Sequence, residues 1–173
     1  MYMVGKKNIN FNLIAVEETH RDLFCSLYMD AQIMRFIGEP LSRERVMAFF
    51  KSVLERAALA NPDSIYRVIE VMSGSEKKLA GFVRLTKDKI DPEKQAARIG
   101  TMLLVEFQRW GLAYQAQKLL LTKAQQRDYC QSFTAYCHIN NQRAHRLYQR
   151  LGFHKGRQLL YNQQPTIQWQ RGI

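Results

Sequence analysis

Along this 173-residue chain, short runs with apolar side chains at alternate positions give way repeatedly to segments whose apolar side chains return every third or fourth residue. The first spacing lines one face of a strand and the second lines one face of a helix. "INFNLIAV" (9–16) alternates and is the first expected strand. Thr19, with Asp22 three residues on, marks a helix start, and Leu23, Phe24, Leu27 and Tyr28 form its stripe. "GEP" (38–40) breaks the chain. A stronger helix starts at Ser42, with Val46, Phe49, Phe50, Val53 and Leu54 on one face, and "NPD" (61–63) stops it. "SIYRVIEVM" (64–72) and "LAGFVRLT" (79–86) are expected to form a hairpin around "SGSEKK". After the polar loop 87–95 come a strand at 96–105, a helix from about 111 to 127, a strand at 132–139 and a helix at 141–151. Two strands, "GFHKGRQLL" and "TIQWQR", close the chain. This order describes an α/β (α+β) domain on one mixed sheet, with no internal repeat and no linker to divide it.

An apolar content of 46% and a charged content of 24% suit a folded chain. No run reaches the roughly 20 apolar residues of a membrane span. The first residues lack the order of a signal peptide, which places the protein in the cytoplasm as an expectation. Cys25, Cys130 and Cys137 form no C-x-x-C pair, so they are expected to be reduced and packed, with no metal site. The formal charge of +11 suggests an anionic partner. The Lys and Arg residues are scattered, however, which argues against a nucleic-acid surface.

Two segments carry chemistry. In "QRWGLAYQAQKLL" (108–120) a glycine stands at the mouth of a helix that follows a strand. The first amides of a helix have no intrahelical partner, and the helix dipole adds about half a positive charge there. Such a turn can cradle phosphate. Gly111 permits unusual backbone angles, Ala113 keeps the surface low, and Arg109 adds charge. Tight helix packing is the other explanation for these small residues. In "NNQRAHRLYQRLGF" (140–153), Asn141 and Tyr148 fall on nearly the same line of a helix, roughly 10 Å apart along its axis. Ala144, Leu147 and Leu151 form the adjacent apolar face, and Arg143, Arg146 and Arg150 lie opposite.

Together these segments resemble the GCN5-related N-acetyltransferases, which use acetyl-coenzyme A. The family's Q/R-x-x-G-x-G/A turn matches Gln108, Gly111 and Ala113, and its later motif matches Asn141, Ala144, Leu147, Tyr148 and "LGF" at 151–153. The N-terminal third is similar to the branch containing the ribosomal-protein N-terminal and spermidine acetyltransferases. The resemblance implies one acetyltransferase domain over 1–173, with a mixed sheet of about six or seven strands, splayed at the cofactor site and covered by helices on both faces. It implies that the backbone of Met102, Leu103 and Leu104 bonds the pantetheine arm. It also implies that the amides of Arg109, Trp110, Gly111, Leu112, Ala113 and Tyr114 hold the pyrophosphate. Asn141 would bond the pantetheine, and Tyr148 would donate a proton to the departing thiolate.

One departure stands out. Many relatives carry a glutamate on the fourth strand, and Arg98 occupies that position here. A guanidinium cannot serve as a base at neutral pH. Glu39, Glu70, Glu106 and His138 are the candidates for that role, and Arg98 becomes a candidate to bind an acceptor carboxylate. The expected function is acetyl transfer to a protein N-terminus, an amino acid or a small-molecule amine. A catalytically silent CoA-binding module and, more weakly, a basic nucleic-acid-binding domain are the alternatives. The oligomeric state stays open, a homodimer included.

Overall fold

The computed structural model describes residues 9–59, 62–89 and 95–173, so part of the 61–63 stop and most of the 87–95 loop lie outside the described residues. Strand β1 (Phe11–Ala15) leads through a short 3-10 turn (Glu18–His20) into α1 (Arg21–Tyr28). The turn is fixed by Glu17, whose N–H donates to Nδ1 of His20 at 2.9 Å. A four-residue helix, α2 (Ala31–Met34), follows, capped by the Asp30 carboxylate on the Ile33 amide. It is too short to leave a stripe in the sequence. Helix α3 (Arg43–Ala57) starts at the expected Ser42 cap and buries Val46, Phe50 and Val53.

The hairpin is β2 (Ser64–Ser73) and β3 (Glu76–Lys87), turning at Gly74 with φ +63°. Strand β4 (Ala96–Leu103) ends two residues before the expected 105, because Val105–Phe107 wind into a 3-10 turn. Helix α4 (Leu112–Gln126), β5 (Ser132–His138) and α5 (Gln142–Arg150) follow close to their expected bounds. The last hairpin, β6 (His154–Tyr161) and β7 (Gln164–Gly172), turns on Asn162 and Gln163. Both turn residues have positive φ, +49° and +61°, the pair of angles that a two-residue turn on twisted strands favours.

The described strands form one seven-stranded sheet in the order β1-β2-β3-β4-β5-β7-β6. Every pairing is antiparallel except β4 with β5. One face carries Tyr66, Val68, Phe82 and Met102, which pack against Phe24 and Leu27 of α1 and the buried stripe of α3. Phe24 and Phe82 stack there with ring centroids 5.0 Å apart and planes 8° off parallel. The other face carries Ile69, Val83, Leu85 and Ile99 beneath Leu112, Ala116, Leu120 and Leu121 of α4 and Leu151 beyond α5. The sheet therefore has helices on both faces, and α1, α3 and α4 are each held by burial of an apolar stripe.

Candidate active site

Strands β4 and β5 pair only at Ala96 with Ser132, Ala97 with Phe133 and Arg98 with Thr134. Beyond this point β4 stays with β3 as far as Leu103, and β5 stays with β7 as far as His138. The facing edges of 99–103 and 135–138 thus part company and leave main-chain groups without a sheet partner. Buried main-chain groups demand partners, so a parted sheet is a place where a ligand can supply them. A cleft of about 1490 Å³ opens in this gap. That exceeds the roughly 300–1,000 Å³ of an ordinary small-molecule pocket.

The mouth of the gap depends on a close backbone approach. Gly81, on β3, has φ +152°, and a Cβ there would lie 2.0 Å from the Met102 carbonyl oxygen. The strand bulges beside it, where pairing shifts between Ile69 and Glu70. Met102 and Leu103 line the cleft, while Leu104 does not. The Leu104 N–H donates to Ala80 and its carbonyl accepts from Phe107, so its main chain holds the turn together.

Gln108 closes the turn by donating from Nε2 to the Leu103 carbonyl at 3.1 Å. Arg109 then adopts φ +69° and Gly111 φ +79°. For Arg109 that left-handed geometry costs about 1–2 kcal/mol. A Cβ on Gly111 would meet nothing within 4 Å, so the backbone angle, and not packing, calls for glycine. The first intrahelical bond of this helix runs from Gln115 to the Gly111 carbonyl. Leu112, Ala113 and Tyr114 therefore present amides with no helical acceptor, no side chain caps Gly111, and no acid sits in the first turn. Arg109 lines the cleft beside them. Trp110 is 51% exposed and packs its ring edge-on to Phe107, outside the lining.

Across the gap, Asn141 caps α5 by accepting from the Ala144 amide at 3.2 Å. Tyr148 lies inside, 6% exposed, with its ring 5.7 Å from Phe153 and 6.2 Å from Trp169. Burial pushes its phenol above the ordinary value, the Cys137 thiol adds to this, and the Arg84 guanidinium opposes it. Tyr148 thus holds its proton throughout the neutral range. Arg143, Arg146 and Arg150 also line the cleft, so that face of α5 is not only a solvated one.

A domain model described as "Acetyltransferase (GNAT) domain" matches residues 10–154. The chain belongs to the GNAT acetyltransferase family. GNAT members are acetyl-CoA-dependent N-acetyltransferases, and this chain is one by membership. No curated protein matches it significantly. Among solved structures, a domain from Methanocaldococcus jannaschii is 15% identical with a TM-score of 0.78, covering 96% of this chain and 100% of that one. RimL, a ribosomal L7/L12 alpha-N-protein acetyltransferase in complex with coenzyme A, is 21% identical with a TM-score of 0.75, covering 97% and 96%. A spermidine N-acetyltransferase from Vibrio cholerae, in complex with CoA and spermine, is 18% identical with a TM-score of 0.76, covering 92% and 94%. Identities this low establish the shared GNAT fold.

Of the four candidate bases, Glu39 and His138 line the cleft. Glu70 instead pairs with Lys77 at 3.1 Å on β2, and Glu106 is exposed in the 3-10 turn, so neither borders the gap. His138 packs against the Phe36 ring, and its Nδ1 accepts from the Asn140 amide at 3.1 Å, which leaves Nε2 free of that bond. Sequence reasoning missed Gln117, which is 1% exposed and donates from Nε2 to Oγ1 of Thr101 at 2.9 Å. Its signal was present: an amide stands on the α4 face that buries Leu120, Leu121 and Ala124. Cys25 and Cys137 are buried, Cys130 is half-buried, and all three are free thiols. Cys137 sits 3.3 Å from Nδ1 of His145, whose Nε2 lies 2.9 Å from the Ile139 carbonyl. That carbonyl can only accept, so Nε2 carries the proton and Nδ1 receives the thiol hydrogen. Among the described residues, no group of His, Cys, Asp and Glu is arranged to hold a metal, and no helix is long and apolar enough to cross a membrane.

Proposed function

We propose that the chain acts as a single domain over residues 1–173 and transfers acetyl directly from acetyl-CoA to a primary amine. The acceptor is a protein N-terminus, an amino acid or a small-molecule amine, and the setting is the cytoplasm. The supporting observation is the parted β4–β5 edge, which opens after three register pairs onto a cleft that ends at uncapped helix amides. Bound acetyl-CoA supplies a thioester whose carbonyl carbon the neutral amine attacks and whose sulfur departs.

The chain's own residues set the geometry. The edge of β4 at Met102 and Leu103, which β5 has left, receives the pantetheine arm, with the Leu103 carbonyl already held by Gln108. Amides from Arg109 to Tyr114 receive the diphosphate, with Trp110 contributing only its backbone. Gln108 acts by holding the turn, and Asn141 keeps its Nδ2 hydrogens for the pantetheine while its oxygen caps α5. Tyr148, protonated by virtue of its burial, gives its proton to the departing sulfur. Glu39 or His138, directly or through water, accepts the proton that the amine releases. Holding both reactants in one gap supplies much of the acceleration.

Tyr148→Phe tests the acid role while keeping the ring packing on Phe153 and Trp169. A general acid is worth about 10²–10⁴ in rate, so kcat for release of free CoA should fall about 100-fold or more, with CoA binding unchanged. Turnover at the wild-type rate refutes the assignment.

A further inference from the structure

The face of β3 and β4 that looks away from α4 and α5 carries an unusual row. Arg84 pairs with Gly100 across the two strands, and Thr86 pairs with Arg98. Side chains at alternate positions of a strand, and those directly opposite on its neighbour, share a face. Arg84 and Arg98 therefore stand diagonally on one surface, with Gly100 and Thr86 at the other two corners. The missing side chain of Gly100 makes the room: a Cβ there would lie 3.3 Å from Nε of Arg84.

Both guanidiniums line the cleft, and neither has a carboxylate partner among the described residues. Their neighbours are phenols instead. Arg84 approaches the Tyr66 hydroxyl at 3.4 Å. Arg98 donates to the Tyr161 hydroxyl and lies 5.2 Å and 5.7 Å from the Tyr161 and Tyr136 ring centres. Nε of Arg98 is buried without any hydrogen-bond partner. Rings and hydroxyls orient a guanidinium but do not neutralise it. The Asp88 carboxylate lies nearby, but its Oδ2 accepts from the Thr134 and Tyr136 hydroxyls and makes no ion pair with Arg98. The two half-buried guanidiniums thus lack a direct counter-charge, which is costly, and an anionic ligand removes the cost. Glu39 is the single carboxylate among the described lining residues, against eight arginines. Arg84 is also near the reacting end, since its charge acts on the Tyr148 phenol.

We propose that Arg84 and Arg98 receive an oxyanion carried by the acceptor amine, so that the substrate is an amine bearing a carboxylate or a phosphate and not a polyamine. This rests on the acetyl-transfer reading for its biological meaning, but not for its test. Guanidinium forks match both oxyanions in shape, and such charge-assisted bonds are among the strong ones.

Matched pairs of probes isolate the oxyanion: free amino acids against their carboxamides, phosphoethanolamine against ethanolamine, and spermidine as the cationic contrast. Each is measured for binding to the CoA-loaded protein by calorimetry, and for kcat/KM by release of free CoA. A carboxamide has the more easily deprotonated amine, so intrinsic reactivity favours it, and a preference for the acid must come from binding. At least one anionic member should bind about 10- to 100-fold tighter than its neutral partner. Arg98→Gln should erase that preference through KM, while leaving the affinity for CoA and the handling of the neutral partner unchanged; Arg84→Gln should erase the preference in binding as well. Arg98→Lys should restore part of it. A preference confined to the phosphate pair or to the carboxylate pair supports the proposal and identifies the oxyanion. Equal binding within every pair, tighter binding of spermidine, or an unchanged preference in Arg98→Gln overturns it. Should Arg84→Gln fail to fold, the wild-type pairs and Arg98→Gln still decide the matter. Absence of acetyl transfer to every probe would count against direct transfer, and the binding comparison would stand on its own.

Discussion

Gly81→Ala attacks the point on which the cleft's geometry turns. The added methyl would lie 2.0 Å from the Met102 carbonyl oxygen and 2.9 Å from the Leu103 Cα, both backbone atoms of β4. Ordinary contact begins near 3.4 Å, so β3 and β4 would have to separate by about 1.4 Å at the edge of the gap. A φ of +152° adds a conformational penalty for any residue with a side chain, of the order of 1–3 kcal/mol. Overpacking against an immobile neighbour adds about 1–3 kcal/mol. A loss of about 2–6 kcal/mol follows, a large part of the roughly 5–15 kcal/mol that holds a domain together. For a chain of this size each kcal/mol is worth about 2–4 °C, so the midpoint of thermal unfolding should drop by at least about 4 °C. Denaturant unfolding measures the loss directly, and CoA affinity should fall with it because Met102 and Leu103 move. Gly172→Ala is the control, since a Cβ there meets nothing within 4 Å, and it should stay within about 0.5 kcal/mol of wild type. A Gly81→Ala protein as stable as the control would refute the close approach and the β3–β4 register built on it.

Two further predictions concern pH. Burial, reinforced by the Asp88 carboxylate that accepts from its hydroxyl at 2.9 Å, pushes Tyr136 up to about 12, and burial with Asp63 nearby takes Tyr129 to about 12. In the unfolded chain these phenols ionise near 10. The folded state thus holds its protons longer, and stability is complete below about pH 10 and lost between pH 10 and 12. Chemical unfolding across that range should show the decline, and Tyr136→Phe should lessen it. His20 acts at the other end: burial lowers its pKa below 6.5, against the pull of Glu17 and Glu70. The unfolded chain takes up that proton first, so stability should fall as pH drops below 6.5, and His20→Gln should flatten the decline.

How much of this was legible in the sequence depends on what each residue had to reveal. Helix stripes such as Val46, Phe50 and Val53 declare themselves by spacing, and Ser42 and Asn141 announce the helices they cap. Gly111 was readable as a backbone position because glycine at a helix mouth has few other uses. Arg84 was not, because a cation at alternate positions of "LAGFVRLT" looks the same on a solvated face as in a cleft. Nor was the role of Gly81, whose meaning depends on Met102 and Leu103 of the neighbouring strand. Helix α2 left no period to detect in four residues. The parting of β4 from β5 was expected only by resemblance, since register is a property of pairs of strands and no single run encodes where a pairing stops.

Amide hydrogen exchange with and without CoA examines the parted sheet itself. Binding should slow exchange along 99–103 on β4 and through the turn at 109–114, while the β2–β3 hairpin turn at Gly74, which does not line the cleft, keeps its free-protein rate. Saturating CoA that protects neither stretch, or that protects only segments elsewhere, would contradict the account.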